Sequence, residues 1–436
     1  MQTESRTRVA LALHGVFGRT YRVPDAWHEG LSPEDAALAQ AILGLCLRQW
    51  GRLQNWVQPR LKNPGREIPT GSRVALAMGL AQLAWLPGVL THAAVNESVL
   101  LASDANVGFP PHKGLVNALL RQASKDRAAL RSELEALPAA LNRSDFANRA
   151  LRSALAPRQT DLGAELCIGS RIETLWHSLQ QPPRPSFRAL TSDPLPEGLE
   201  PDPLFPAALR LAPDAPFPRT WLASGQGMVQ DLSSQAMMSF EWNERPLRIL
   251  DTCAAPGGKT TALAQRWPEA ELYAVEADGK RAKRLEENLA VRRVKAQVIA
   301  EEAGAWMHKG SNLFDLILVD APCSGSGTLR KHPELNWLGE FLDLPRLARN
   351  QRALLEAAIT RLAPGGLLIY AVCSWLPEEG LEHQKYMVER HPELKPAALW
   401  PAAYGTDEGS ATLFRPDPLT WPGEGFQAFA FTRPRA

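Results

Sequence analysis

Five short apolar runs after residue 245, each separated from the next by a segment of helical period, restrict the fold more than any other feature of this chain. They occupy 247–252, 272–275, 297–300, 314–319 and 367–372. Runs of this kind are strands covered on both faces, and strands alternating with helices build a parallel, doubly wound sheet. Ligands of such sheets bind beyond the carboxyl ends of the strands, near the switch in strand order. The residues that follow each run are therefore where chemistry is expected.

The remainder of the chain has a different grammar. Over 5–128 the apolar positions recur at three and four, as in Leu38, Ile42, Leu45 and in Val74, Leu76, Leu80, Leu83, which predicts an all-helical domain. The longest apolar stretch, 74–90, is interrupted by Gln82, Pro87 and two glycines, so it reads as a buried helix and not as a membrane span. Between the two patterned regions, 182–219 contains eleven prolines. Each fixes φ and removes a donor, so a connector or small irregular module is expected, with 187–190 available as an edge strand.

Charge and cysteine content narrow the class. Lys and Arg number 48 against 47 Asp and Glu, so no global basic excess announces a nucleic-acid binder. A local surplus exists: residues 1–130 carry 14 basic and 9 acidic side chains. The five cysteines are an odd count without close pairing or metal-ligand spacing, which points to a reducing cytoplasm and to neither a disulfide framework nor a metal centre. The apolar run 9–16 is broken by His14 and lacks a small-residue cleavage site, so export is not expected.

Three strand ends carry the candidate chemistry. LDTCAAPGGKTTAL (250–263) places Gly257 and Gly258 in a tight turn before a helix, where backbone can approach a cofactor closely. The turn is not a Walker loop, because Cys253 stands where that pattern needs glycine. Glu276 ends the next strand, about 20 residues on, where an acid can accept hydrogen bonds from both ribose hydroxyls. FDLILVDAPCSGSGTLRKHPELNW (314–337) then delivers Asp320 and Cys323, and GGLLIYAVCSWLPEE (365–379) delivers Cys373. Cys46 and Cys167 are expected to be buried small hydrophobes, whereas Cys323 and Cys373 lie beside Asp, Ser and Gly, as reactive thiols do.

Two thiols at one sheet edge suit a particular reaction. One thiolate adds to an electrophilic carbon, and a second group later removes a proton so that the adduct collapses. Carbon 6 of cytosine is such an electrophile; attack there makes carbon 5 nucleophilic enough to take a methyl group from a sulfonium, with an Asp or Lys stabilising charge on the ring. The base must leave any helical stack to reach both thiols. Arg330, Lys331 and His332, with Arg346, Arg349 and Arg352 beyond them, supply cations for phosphate. Arg281, Lys283, Arg284, Arg292 and Arg293 read as a solvated helix face, and Trp337 and Trp375 as core more often than as base-stacking platforms.

DTCAAPGGKTT, DAPCSGSGTLRKHPE and YAVCSWLPEE resemble the motifs of the Nol1/Nop2/Sun superfamily of RNA cytosine-5 methyltransferases, most closely its bacterial RsmB type. THAAVNESVLLA (91–102) and GLVNALLRQ (114–122) are similar to the NusB-like helical domain of that type, and the likeness covers 5–128 and 221–432. The resemblance implies S-adenosyl-L-methionine (AdoMet) as cofactor and Cys373 as nucleophile, with Cys323 assisting release of the methylated base. It implies contacts to base or cofactor from Asp320 and Lys259, and cofactor binding by Cys253, Ala254, Ala255, Pro256, Gly257, Gly258, Lys259, Glu276, Glu302 and Asp320. It further implies RNA as partner, with 16S ribosomal RNA foremost, and the cations Arg330, Lys331 and His332 support RNA binding independently of it. The expected organisation is a NusB-like all-α domain (5–130), a connector with a small Pro-rich α+β module (131–235) and a Rossmann-like AdoMet-dependent methyltransferase domain (236–436). No metal and no membrane enter this reading, and no protein partner is named by it.

Four departures from the family pattern stand out. Glu276 replaces the usual Asp, Glu301-Glu302-Ala303 replaces a Gly-Asp motif, Val372 replaces the usual Thr before the nucleophile, and Arg188-Ala189-Leu190 replaces an Arg-x-Asn pattern. They leave two alternatives open: the same chemistry on tRNA or another RNA, and a catalytically weakened RNA-binding ribosome-assembly factor.

Overall fold

Helical periodicity near the amino terminus resolves into α1 (Glu4–Phe17), α2 (Pro33–Val57), α3 (Thr70–Trp85), α4 (Thr91–Leu101), α5 (Lys113–Ala123) and α6 (Arg127–Ala136). The computed structural model describes residues 4–18, 23, 27–65, 67–104, 112–138, 143–155, 168–401 and 412–435. Packing divides the chain into two units: Met1–Asn148 with Trp176–Pro182 and Leu329–Phe341, and Arg149–Leu175 with Pro183–Thr328 and Leu342–Ala436.

In the first unit α3 is the central helix. Val74, Ala75, Leu76, Ala77, Met78, Leu80 and Ala81 are all fully buried, as an all-round apolar sequence demands. Its end coincides with the approach of Pro87, which cannot continue a helix. The carbonyls there find a partner in Arg127, whose guanidinium donates to Gln82, Leu83, Leu86 and Val89 at 2.8–3.2 Å. Ser32 caps α2 by accepting from the Asp35 amide, with Pro33 in its first turn. The buried thiol of Cys46 matches this packing, whereas the expected buried helix over 74–90 is helical only to Trp85, after which Pro87 and Gly88 turn the chain and Leu90 is exposed; Cys167 lies outside the described residues. Segment Leu329–Phe341 joins this unit, with Trp337 set edge-on to Phe17 at 5.5 Å.

Helices α7 (Asp145–Leu155) and α8 (Ile168–Leu179) precede a four-stranded antiparallel sheet: β1 (Ser186–Ala189), β2 (Leu199–Pro201), β3 (Leu209–Leu211) and β4 (Gly227–Val229), in the order β2-β3-β1-β4. The anticipated edge strand is in fact internal, since Phe187 pairs with Leu209 on one side and Val229 on the other. The prolines at 182, 183 and 185 stop just short of Ser186, so β1 keeps every N–H for its two ladders, and Pro201 falls at the end of the outer strand β2. Helices α9 (Arg219–Ala223) and α10 (Leu232–Met238) flank β4.

The larger sheet holds β5 (Arg248–Asp251), β6 (Glu271–Val275), β7 (Gln297–Ile299), β8 (Phe314–Asp320) and β9 (Leu362–Val372), parallel in the order β7-β6-β5-β8-β9. All five lie where the apolar runs place them. Beyond β9 the sheet turns antiparallel through β12 (Gln427–Thr432), which also pairs with β10 (Lys395–Pro396) and β11 (Leu413–Phe414), so the sheet is mixed and not wholly parallel. Alternate residues of β9 serve opposite faces. Leu367, Ile369 and Ala371 join the core shared with α10 and α11 (Gly258–Arg266). Leu368, Tyr370 and Val372 join the core shared with α13 (Ala303–Lys309), α15 (Leu344–Arg361) and α16 (Leu381–Arg390). Two remaining helices are α12 (Gly279–Val291), which follows β6, and α14 (Leu335–Leu338), in the segment that joins the helical unit.

His383 of α16 is fully buried and pairs through Nε2 with Gln351 Oε1 of α15 at 3.0 Å. Burial, reinforced by Arg352, pushes its imidazole down to about 4. The folded state therefore releases a proton that the unfolded state still binds between its ordinary value near 6.5 and about 4, and stability falls as pH drops through that window. Urea unfolding of the wild type is expected to lose about 3 kcal/mol between those limits beyond what His383→Gln loses. Equal losses in the two proteins would show that His383 is not the linked group.

Candidate active site

The order β7-β6-β5-β8-β9 reverses between β5 and β8, and the loops that leave these strands hold most of the expected site residues. Asp251 ends β5 fully buried; Oδ2 accepts from the Thr260 hydroxyl at 2.7 Å, while among the described residues Oδ1 has no partner of good hydrogen-bond geometry. Burial pushes this carboxyl up to about 7. The chain then turns through Cys253, Ala254, Ala255 and Pro256 to Gly257, whose φ of +100° only glycine adopts readily. A Cβ there would stand 2.9 Å from Leu285 of α12. The same helix braces the loop, because Arg281 donates to Ala255 O at 3.1 Å and Asn288 to Pro256 O at 2.9 Å. Arg281 makes this contact from the solvated face on which the charge pattern placed it, and Lys283, Arg284 and Arg293 are exposed there as expected, whereas Arg292 is half-buried.

Glu276 follows β6 with its side chain buried, accepting from the Asp278 amide at 3.1 Å and facing Arg281 at 3.5 Å. Glu302 caps α13, with Oε1 accepting from Gly304 N at 2.9 Å and Oε2 from Ala305 N at 2.6 Å. A buried acid with an open oxygen, a glycine turn at a helix N-terminus and a second acid one strand over fit an adenosine-bearing cofactor. Cys253 is held as a thiol: burial pushes it up to about 12 although the Thr252 hydroxyl points at it.

Lys259, in the first turn of α11, reaches Asp320 at the end of β8 with Nζ 2.7 Å from Oδ2. Burial works against the lysine charge, but Asp320 beside it outweighs that cost and holds the value above its ordinary one. Cys323 and Cys373 come together with their sulfurs 3.3 Å apart. Donation of the Cys323 S–H to Cys373 holds the Cys373 thiol below its ordinary value and pushes Cys323 well above it. Burial and Asp320 oppose ionisation of Cys373, and Lys259 favours it. Each thiol thus perturbs the ionisation of the other.

Below the sulfurs lies a buried polar cluster that the sequence motifs contained without a role for it. Glu379 accepts hydrogen bonds from Ser324 N and Oγ, from Ser374 Oγ and from Gln351 Nε2, at 2.5–3.0 Å. The repeated Cys-Ser dipeptide of the two motifs is the signal that could have found it. Val372 is fully buried in the apolar layer with Leu368 and Tyr370, so the family's hydroxyl at this position is replaced inside the core. Trp375 is buried as well.

The expected RNA contacts separate into two groups. Arg330, Lys331 and His332 pack with the helical unit: Arg330 donates to Ser178 Oγ at 2.9 Å, His332 faces Glu334 at 3.2 Å, and Lys331 is exposed. In the α/β unit Arg346 and Arg349 are exposed on α15, and Arg352 lies over the Tyr386 ring.

Comparison with known proteins gives the arrangement a lineage. Residues 237–428 match the family model described as 16S rRNA methyltransferase RsmB/F, and residues 14–125 match the NusB family. Ribosomal RNA small subunit methyltransferase B of Vibrio cholerae serotype O1 is 32% identical over 410 residues, 92% of each chain. The protein of the same name from Klebsiella pneumoniae is 33% identical over 370 residues, 83% of this chain and 84% of its own. Among solved structures, PH0851 superposes with a TM-score of 0.68 at 21% identity over 99% of both chains. NSun6 from Pyrococcus horikoshii with SFG gives 0.53 at 19% identity, over 66% of this chain and 98% of its own, and both likenesses bear on the fold alone. Strand-end loops, paired thiols and near-full-length identity to curated relatives lead to one conclusion: the chain belongs to the RsmB/F family of AdoMet-dependent ribosomal RNA methyltransferases, with a NusB amino-terminal region.

Proposed function

We propose that this enzyme forms 5-methylcytosine in 16S ribosomal RNA through a covalent adduct between Cys373 and carbon 6 of the target base, in the cytoplasm. The observation that carries the reading is the 3.3 Å approach of Cys323 to Cys373 beside the Lys259–Asp320 pair. AdoMet, when bound, supplies an electrophilic methyl group on sulfonium. The loop 253–258, Lys259, Glu276, Glu302 and Asp320 are the residues that would hold it. Each Glu302 oxygen keeps a lone pair beyond its capping bond, as recognition of an amino group requires.

The chain's own groups divide the remaining work. Cys373, with its ionised form favoured by the Cys323 proton and by Lys259, adds to carbon 6 and places negative charge on the ring. The Lys259 ammonium offsets that charge, and Asp320, held by Lys259, fixes the base by accepting a hydrogen bond from its amino group. Once Cys373 is bonded to carbon 6 it no longer holds the Cys323 proton, which passes to solvent; after carbon 5 has been methylated, the Cys323 thiolate takes the proton from carbon 5, and the Cys373–carbon 6 bond breaks, returning a Cys373 thiolate and the aromatic ring. Arg330, Lys331, His332, Arg346 and Arg349 bind phosphate, and the region 5–130 serves as the RNA-docking domain ahead of the module at 131–235 and the catalytic domain at 236–436.

The substrate is tested by transfer of labelled methyl to small-subunit ribosomal RNA lacking prior modification, with tRNA as comparison and bisulfite mapping of the product. One labelled cytosine in the ribosomal RNA is expected; label confined to tRNA would replace the substrate, and no label with intact AdoMet and RNA binding would favour a non-catalytic assembly factor. Among variants, Cys373→Ala is expected to abolish both turnover and adduct, whereas Cys323→Ala accumulates a covalent RNA adduct visible on denaturing gels. Loss of the adduct in Cys323→Ala alone would reverse the two roles. Asp320→Asn is expected to lower kcat about 100-fold with RNA affinity unchanged, and an unaltered kcat would remove Asp320 from the chemistry.

A further inference from the structure

Each thiol is followed in sequence by a serine, Ser324 after Cys323 and Ser374 after Cys373, and the two serines meet as the two sulfurs do, with hydroxyls 3.4 Å apart. Both donate to the same oxygen of Glu379: Oε2 accepts from Ser324 at 2.5 Å and from Ser374 at 2.6 Å. The other oxygen accepts the Ser324 amide at 2.8 Å and Gln351 Nε2 at 3.0 Å. Gln351 Nε2 also reaches Pro322 O at 2.9 Å, one residue before Cys323. Glu379 is itself fully buried, and its main-chain carbonyl is fixed by the Tyr370 hydroxyl at 2.7 Å. Gly327 completes the junction, donating to Cys373 O at 3.1 Å.

We propose that Glu379 is the positioning residue of the thiol pair: its carboxylate clamps the residue after each cysteine and thereby sets the sulfur–sulfur distance on which the division of labour between Cys373 and Cys323 depends. A buried carboxylate with four donors is a directional tether, stronger than neutral hydrogen bonds and intolerant of a donor in its place. Glutamine preserves the shape but turns an amide N–H2 toward two hydroxyls that already donate there. Ser374 Oγ also accepts from Leu376 N at 3.0 Å and meets Ser326 Oγ at 2.8 Å, so it has little freedom to reverse.

The proposal rests on the roles given to the two cysteines, and its test is chosen to be readable without RNA. The groups facing Cys373 are Cys323, Asp320, Lys259 and Glu379. Removing the Glu379 charge alone would favour the Cys373 thiolate, whereas loosening the clamp withdraws the Cys323 proton and disfavours it, so the two effects have opposite signs. Alkylation of the full-length protein by iodoacetamide, followed at the Cys373 peptide by mass spectrometry across pH, separates them. Glu379→Gln is expected to raise the midpoint by about half a unit or more and to lower kcat about tenfold or more at unchanged KM for RNA and AdoMet. Ser324→Ala, which removes one donor and leaves the carboxylate, is expected to move both readouts in the same direction and carries the test should Glu379→Gln fail to fold. A downward or absent midpoint shift, or a kcat within about twofold of wild type, in a folded variant would overturn the clamp. A midpoint that rises in a chain that methylates no RNA would keep the clamp and discard the reaction.

Discussion

The reversal of strand order between β5 and β8 is the constraint from which the rest of the site follows. Parallel strands deliver all their carboxyl ends to one edge, and the reversal sends neighbouring connections to opposite faces of the sheet, leaving a crevice between them. Asp251, Asp320 and Cys373 are separated in sequence by 69 and then 53 positions, yet each stands at or directly after the end of β5, β8 or β9. The register fixes this: Asp251 follows Leu250, which pairs with Ile317, and Asp320 pairs with Ala371, two residues before Cys373. A change that slipped β8 against β9 by one residue would turn Asp320 away from Lys259 and part the sulfurs.

Electrostatics at this edge is arranged by pairing inside a poorly solvated space. Lys259 and Asp320 keep only 15% and 26% of their side-chain surface, enough burial for an unpaired partner to be costly. Among the described residues Asp251 has no cation within a salt-bridge distance, and it answers burial by holding its proton to about 7. The two cysteines lie 3.3 Å apart and titrate as a pair, so each perturbs the ionisation of the other before substrate arrives. The same burial that sharpens these interactions places Glu379 and Gln351 where a lost partner cannot be replaced by water.

Much of this was legible in the amino-acid sequence because it is local. Strand period, the glycine turn and the position of Asp320, Cys323 and Cys373 at strand ends are each written within a few residues. Long-range pairing is not. Nothing in a linear reading brings Ser324 to Glu379, 55 positions away, or shows that Arg281 crosses from its helix to the Ala255 carbonyl. The internal place of β1 escaped because prolines on its flank weigh against a central strand, although they end one residue before its ladder begins. Arg330 reads as a cation beside the Cys323 loop, but its packing with Ser178 and Arg48 belongs to the helical unit, which only the three-dimensional arrangement reveals.

The central claim is that the thiol at the end of β9, and not its neighbour after β8, bonds to the base. The most direct measurement is peptide mapping of the complex formed with AdoMet and a ribosomal RNA fragment carrying 5-fluorocytosine, where fluorine at carbon 5 leaves no proton for elimination and the adduct is trapped. The account predicts a single RNA-linked peptide containing Cys373, with Cys323 unmodified. A linkage at Cys323 would contradict it.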